Sequence, residues 1–181
     1  MHKIYLLVII TIACQAKVLY SQSLFINDTA YKCSETGYLE GYQEFGYASI
    51  GVFFVKKGAT NHVVFESSTL IIGDVKIYLH DNTVIKLVWR NQFDCAGGSC
   101  LSIYILTNEE IEKIKKSNIL MIRFATQLVI NGVFNDGIKD NMIAYNKSNE
   151  PYDGFTPASL LSKYRVESDF SKILRDYFPE H

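Results

Sequence analysis

The chain has 181 residues, 18 basic against 19 acidic side chains, and 48% hydrophobic residues. This is the length of one domain plus a leader, with too much apolar content for a disordered chain. The balanced charge argues against a nucleic-acid partner, and three prolines with eleven glycines exclude a collagen-like chain.

Met1-His2-Lys3 gives a short positive start, and Ile4 to Ala13 is an unbroken run of apolar residues and threonine. The run is too short for a stable membrane span, which needs about 20 residues, and matches the core of a secretory signal. Three ends of this leader fit the residues. Cleavage after Ala16 follows the small-x-small pattern of Cys14-Gln15-Ala16, and cleavage after Ser21 leaves Gln22 first. In the third reading, Thr11-Ile12-Ala13-Cys14 resembles a bacterial lipobox, with Thr11 where leucine is usual. Lipidation of Cys14 would anchor the protein to a membrane through its acyl chains. Soluble export is preferred. The expected organisation is a signal peptide over 1–21, or over 1–13 if Cys14 is lipidated, and a single domain over 22–181. The expected location is secreted or periplasmic, with membrane contact limited to the lipid anchor.

From Gln22 to Ala48 the chain is polar and rich in tyrosine and glycine. Gly37-Tyr38-Leu39-Glu40 is echoed by Gly41-Tyr42-Gln43-Glu44 and by Phe45-Gly46-Tyr47, too briefly for a structural repeat. The segment reads as a loop or edge strand whose aromatics cover the core. The competing reading is an exposed strip of Tyr38, Tyr42 and Tyr47 that binds a sugar or a protein.

Ser49 to Val55 reads as a strand, Lys56 to Thr60 as a turn, and Asn61 to Ser67 as its hairpin partner. In the next hairpin, Val75, Ile77 and Leu79 alternate with Lys76, Tyr78 and His80. Asp81-Asn82 supplies the turn, and Ile85, Leu87 and Trp89 return opposite Lys86 and Arg90. Such alternation means that one face packs and the other meets solvent.

Cys95-Ala-Gly-Gly-Ser-Cys100 reads as a disulfide closing a hairpin loop, since the glycines allow the tight turn a short bridge needs. A redox pair would have two intervening residues and a helix after it, and a zinc site would need a second ligand pair. Cys33 is left odd and reads as a buried thiol. Its pairing with Cys95 or Cys100 stays open.

Leu101, Ile103 and Ile105 form another alternating strand. A helix follows, with Thr107 and Glu110 at capping-box spacing, Glu109 and Glu110 at its start, and Lys113, Lys115 and Lys116 at its end. These lysines complement the helix dipole and are not read as a binding patch. Ile119 to Thr126 reads as a buried strand whose Arg123 pairs with a carboxylate or points outward. Leu128 to Phe134 reads as a second strand, ending in a turn at Asn135-Asp136-Gly137. Asn146 to Thr156 reads as a polar loop. A helix opens at Thr156-Pro157, and Ser168 caps another that carries Phe170, Ile173, Leu174 and Tyr177. The fold class is α+β: a mostly antiparallel sheet of about six to eight strands, one short inserted helix, and C-terminal helical structure.

No strong catalytic constellation is present. The domain has His62, His80 and His181, no pair of which is spaced to share a metal from one helix. It also lacks a Gly-x-Ser-x-Gly elbow and a phosphate-binding glycine loop. Asn135 to Asn141 has oxygen ligands but departs from the calcium-loop pattern. Asn27-Asp28-Thr29 and Asn146-Lys147-Ser148 fit the N-glycosylation pattern, relevant in a eukaryotic host. The Ile-, Asn-, Lys- and Tyr-rich composition resembles that of small exported proteins of AT-rich bacteria, a likeness that carries no activity.

The expectation is therefore an exported, non-enzymatic binding or structural module, without cofactor or metal, whose partner is an envelope or extracellular protein or glycan. Its binding residues would be Tyr38, Tyr42 and Tyr47, and the Cys95–Cys100 loop with Trp89 nearby. One alternative is an exported hydrolase with a site dispersed over His62, His80 and Asp94. Another is a small inhibitor presenting the disulfide loop.

Overall fold

The computed structural model describes residues 23–26, 29–43, 46–130, 133–146 and 167–179. The leader and the helix expected at Thr156-Pro157 lie outside these residues. Eleven strands and two helices are present among them, in the order β1 (Ser23–Ile26), β2 (Thr29–Lys32), β3 (Gly37–Gln43), β4 (Gly46–Lys57), β5 (Thr60–Ser67), β6 (Leu70–Leu79), β7 (Val84–Leu87), β8 (Phe93–Ala96), β9 (Ser99–Leu106), α1 (Asn108–Lys116), β10 (Ile119–Ile130), β11 (Val133–Tyr145) and α2 (Phe170–Tyr177). β1 and β2 form a hairpin of their own. The other nine strands make one antiparallel sheet in the order β7-β6-β10-β11-β3-β4-β5-β9-β8. The α+β class holds, and the strand count exceeds the expected six to eight.

The excess comes from β1, β2, β3 and β8. The tyrosine- and glycine-rich segment, expected as a loop or edge strand, supplies β3, an interior strand between β11 and β4. Its glycines serve close packing. A Cβ on Gly37 would sit 2.3 Å from the Phe170 ring, and one on Gly41 would sit 3.0 Å from the Ile143 carbonyl. The two strands expected over Ile119–Thr126 and Leu128–Phe134 are present with other bounds, as β10 and β11. The turn expected at Asn135-Asp136-Gly137 is strand, and β11 pairs with β10 from Val133, opposite Ile130, onward. Polar residues extend along β11 because most of its outward face meets solvent.

The sheet curls into a half-barrel. Alternate residues of its strands point inward to one core that includes Leu39, Phe54, Phe65, Ile77, Leu87, Tyr104 and Ile122. The curl brings β6 near β9, where Ile71 N–H donates to Ser102 Oγ (3.1 Å) and the Tyr104 hydroxyl donates to the Gly73 carbonyl (2.9 Å).

Two helices close one end of the half-barrel. The expected capping box forms: Thr107 Oγ1 accepts from Glu110 N–H, and Glu110 Oε2 accepts from Thr107 N–H at 2.7 Å. Ile111 and Ile114 enter the core, as do Phe170 and Leu174 of α2. Asp169 caps α2 by accepting from Lys172 N–H (2.8 Å), not Ser168 as expected. Ser168 instead accepts from Tyr38 N–H through its hydroxyl (2.8 Å). Asn118 Oδ1 accepts from Phe170 N–H, and Asn146 bonds both the N–H and the carbonyl of Ser168. Asn146 is thus 3% exposed and its side-chain amide is committed to the fold.

Candidate functional site

Toward the end of the sheet away from the helices, four aromatic side chains form a chain of contacts. Trp89, in the connection between β7 and β8, stacks on Phe93 of β8 at 6.3 Å and lies 5.4 Å from the Tyr104 ring. Phe134, at the start of β11, meets Phe93 edge-on at 5.6 Å. The β10–β11 arm thus reaches across to β8, which lies at one edge of the sheet. Phe134 is 45% exposed, its chain neighbour Val133 69% and the neighbour of Trp89, Val88, 56%; further along β11, Ile138 is 56% exposed. Large exposed apolar groups of this kind are a feature of contact surfaces.

A polar cleft of about 420 Å³ opens on the outer face of the sheet, lined in part by Asp74, Lys76, Arg123, Asp140 and Asn141. Two bulges make it. On β6, the register with β10 slips between Lys76 and Ile72, and Gly73 there takes a positive φ of 66°. On β11, Asp140 and Asn141 together oppose Ala125, and Asn141 takes a φ of 63°. Bulges bend a strand and re-aim side chains, and these two flank the same stretch of β10. Tyr104 holds the β6 bulge through its bond to Gly73; burial first, and the charge of Asp74 second, push its pKa up, so the hydroxyl stays protonated. Asp74 bonds Lys86 Nζ at 2.8 Å and accepts from Trp89 N–H at 3.0 Å, and these bonds hold its carboxyl below the usual range. Arg123 Nη2 donates to Asn141 Oδ1.

The residues singled out from sequence are dispersed. Tyr38 is 42% exposed on β3, and Tyr42 and Tyr47 are register partners whose side chains lie outside the described residues, as does Cys14. Trp89 belongs to the aromatic end. Cys95 and Cys100 are register partners across β8 and β9 and form the expected disulfide, with Cα atoms 4.1 Å apart. Gly97 and Gly98 make the turn with positive φ. The loop beyond the paired strands is therefore two residues long. Cys33 is buried outside this bond.

The candidate hydrolytic residues are not brought together. His62 is buried on β5 between its register partners Val55 and Ile105, and its Nδ1 lacks a hydrogen bond. Burial first and the charge of Lys57 second lower its pKa, while the Val55 carbonyl opposes them. His80, beyond the end of β6, bonds Glu167 at 3.0 Å. Asp94 is on edge strand β8, opposite Leu101. Among the described residues, no cluster of three or more His, Cys, Asp or Glu is placed to hold a metal. Phe93, Phe134 and the cleft residues were not anticipated as site residues. Gly73 inside an apolar run was the available signal, because a lone glycine in a strand pattern marks a bulge. No family model, curated protein or solved structure matches the chain.

Proposed function

We propose that this chain is an exported, non-enzymatic binding module that contacts an envelope or extracellular component through its aromatic end. The observation that carries this reading is the Trp89–Phe93–Phe134 cluster, with Phe134 itself and the chain neighbours Val88 and Val133 exposed. The Cys95–Cys100 disulfide supports an oxidising compartment. Among the described residues, no helix is long and apolar enough to cross a membrane. The β10–β11 arm adds reach, and its large apolar side chains supply the desolvated centre that interfaces favour.

The test is site-specific photo-crosslinking in the native host. A benzophenone side chain replaces Phe134 in one variant and Lys172, on the opposite helical end, in another. A discrete adduct from position 134 and none from 172 is expected. No adduct at 134, or the same adduct from both, overturns the reading. Mass spectrometry of the exported protein, with and without reduction, checks its compartment: a gain of two hydrogens is expected.

A further inference from the structure

The cleft carries a second site, independent of the aromatic end. Lys86 on β7 pairs in register with Lys76 on β6, and Lys76 pairs in register with Arg123 on β10. Three cations thus stand side by side across adjacent strands, all on the outer face. Like charges directly opposite one another destabilise a sheet, so the row is a cost that the fold alone does not explain. Lys86 is neutralised by Asp74. Lys76 and Arg123 enter none of the ion pairs formed among the described residues. Asp140 lines the same cleft and also forms no such pair. Arg123 is held by a neutral amide, Asn141, at the bulge, which orients the guanidinium without cancelling its charge.

Two residues further along each strand, the outer face changes character. Tyr78, Met121 and Tyr145 form the neighbouring register row on β6, β10 and β11. A cation pair therefore lies between a polar cleft and a row of partly exposed apolar and aromatic side chains.

The geometry points to a binding site for an acidic saccharide, with one carboxylate on Lys76 and Arg123 and a sugar ring over the Tyr78–Met121–Tyr145 row. A guanidinium beside an ammonium suits a carboxylate, and tyrosines present a ring face with a polar tip to a sugar. Anionic lipid fits less well, because electrostatic membrane attachment uses clusters of about four to eight basic residues. Asp140 limits the site to a single negative group, since a second would meet its carboxylate.

Isothermal titration of the exported protein with trigalacturonic acid at low ionic strength tests this. Galactotriose, inorganic sulfate and vesicles of mixed phosphatidylglycerol and phosphatidylcholine serve as comparison ligands. Trigalacturonate is expected to bind more tightly than any of them. Lys76→Gln and Arg123→Gln should each weaken it by about tenfold or more. Asp140→Asn should tighten it by about threefold. Lys76 and Arg123 are exposed, so both variants should keep the wild-type circular dichroism, and neither should lower the urea midpoint. The site is overturned if trigalacturonate fails to bind at millimolar concentration, if galactotriose binds equally, or if neither cation variant changes the affinity. Preference for sulfate or for the vesicles also overturns it. The crosslinking result at Phe134 stands apart from these outcomes.

Discussion

Over β4, β5 and β9 the outward residues Phe53, Val55, Val64 and Ile103 are buried, packed with Cys33, Tyr31 and Leu101. Over β6, β7 and β10 the outward residues Lys76, Lys86 and Arg123 are exposed. The inner faces of both halves share one core. The difference lies in a second layer. The chain leaving β2 runs beside β4, where Cys33 bridges Val55 and Ser34 N–H donates to the Phe54 carbonyl (2.9 Å), and the side chains of Cys33 and Tyr31 pack on the outward cluster. The other half has a cleft where this half has a cover. One sheet can thus be a two-sided core element along part of its width and a one-sided platform along the rest.

Breaking the covered face should have the largest effect. Phe53→Ala removes a ring that is 4% exposed, and should lower stability by about 3 kcal/mol in urea unfolding. Tyr78→Ala on the open face should cost about 1 kcal/mol or less. Equal costs would mean that the open face is also covered.

The contrast was legible in the residues. Val52-Phe53-Phe54-Val55 and Val63-Val64-Phe65 are continuous apolar runs, as a strand buried on both faces requires. Val75 to Leu79 and Ile85 to Leu87 alternate strictly, as a strand with one wet face requires. The helix cap at Thr107, the turn at Asp81-Asn82 and the disulfide were equally readable, because each rests on neighbours in sequence. Long-range facts were not. Nothing local to Gly37-Tyr38-Leu39 says that Phe170 will pack on the first glycine, so the segment reads as a loop or edge strand rather than an interior strand. The cation row was hidden for the same reason: Lys86, Lys76 and Arg123 become neighbours only through register. The aromatic end depends on a contact between residues as distant as Phe93 and Phe134.

The disulfide sits at the edge of the covered half and closes a short loop. Replacing both Cys95 and Cys100 by serine should therefore cost about 2 kcal/mol, read from the urea midpoint with the slope unchanged. The open half has its own backbone cost at the β6 bulge. Gly73→Ala forces a side chain into positive φ, where nothing crowds the added Cβ, so strain alone should cost about 1 kcal/mol. A much larger loss would mean that the bulge bears on the core beyond its bond to Tyr104.

The covered face should also make stability depend on pH. The pKa of His62 is lowered in the fold from its ordinary value of 6.5, so the unfolded chain binds the proton first as pH falls. Stability from keeping this imidazole neutral is fully present above 6.5 and is lost as pH falls below that value toward the folded one. Urea midpoints from pH 7.5 to 5 should decline, and His62→Phe should flatten that slope. An unchanged slope would show that His62 is solvated and the cover over this face is open.

The smallest effect separates the two halves most sharply. Lys76 stands in register between two cations, so Lys76→Gln relieves repulsion on both sides while removing no buried surface. Its stability should rise by about 0.3 kcal/mol, and the gain should shrink in high salt as the charges are screened. On the covered half, a polar glutamine at Val64 would instead be buried without a partner and strongly destabilise the fold. A loss of stability in Lys76→Gln would mean that this lysine is compensated within the fold. A gain would mean that the open face carries its charges at a cost to folding, as a surface kept for a ligand does.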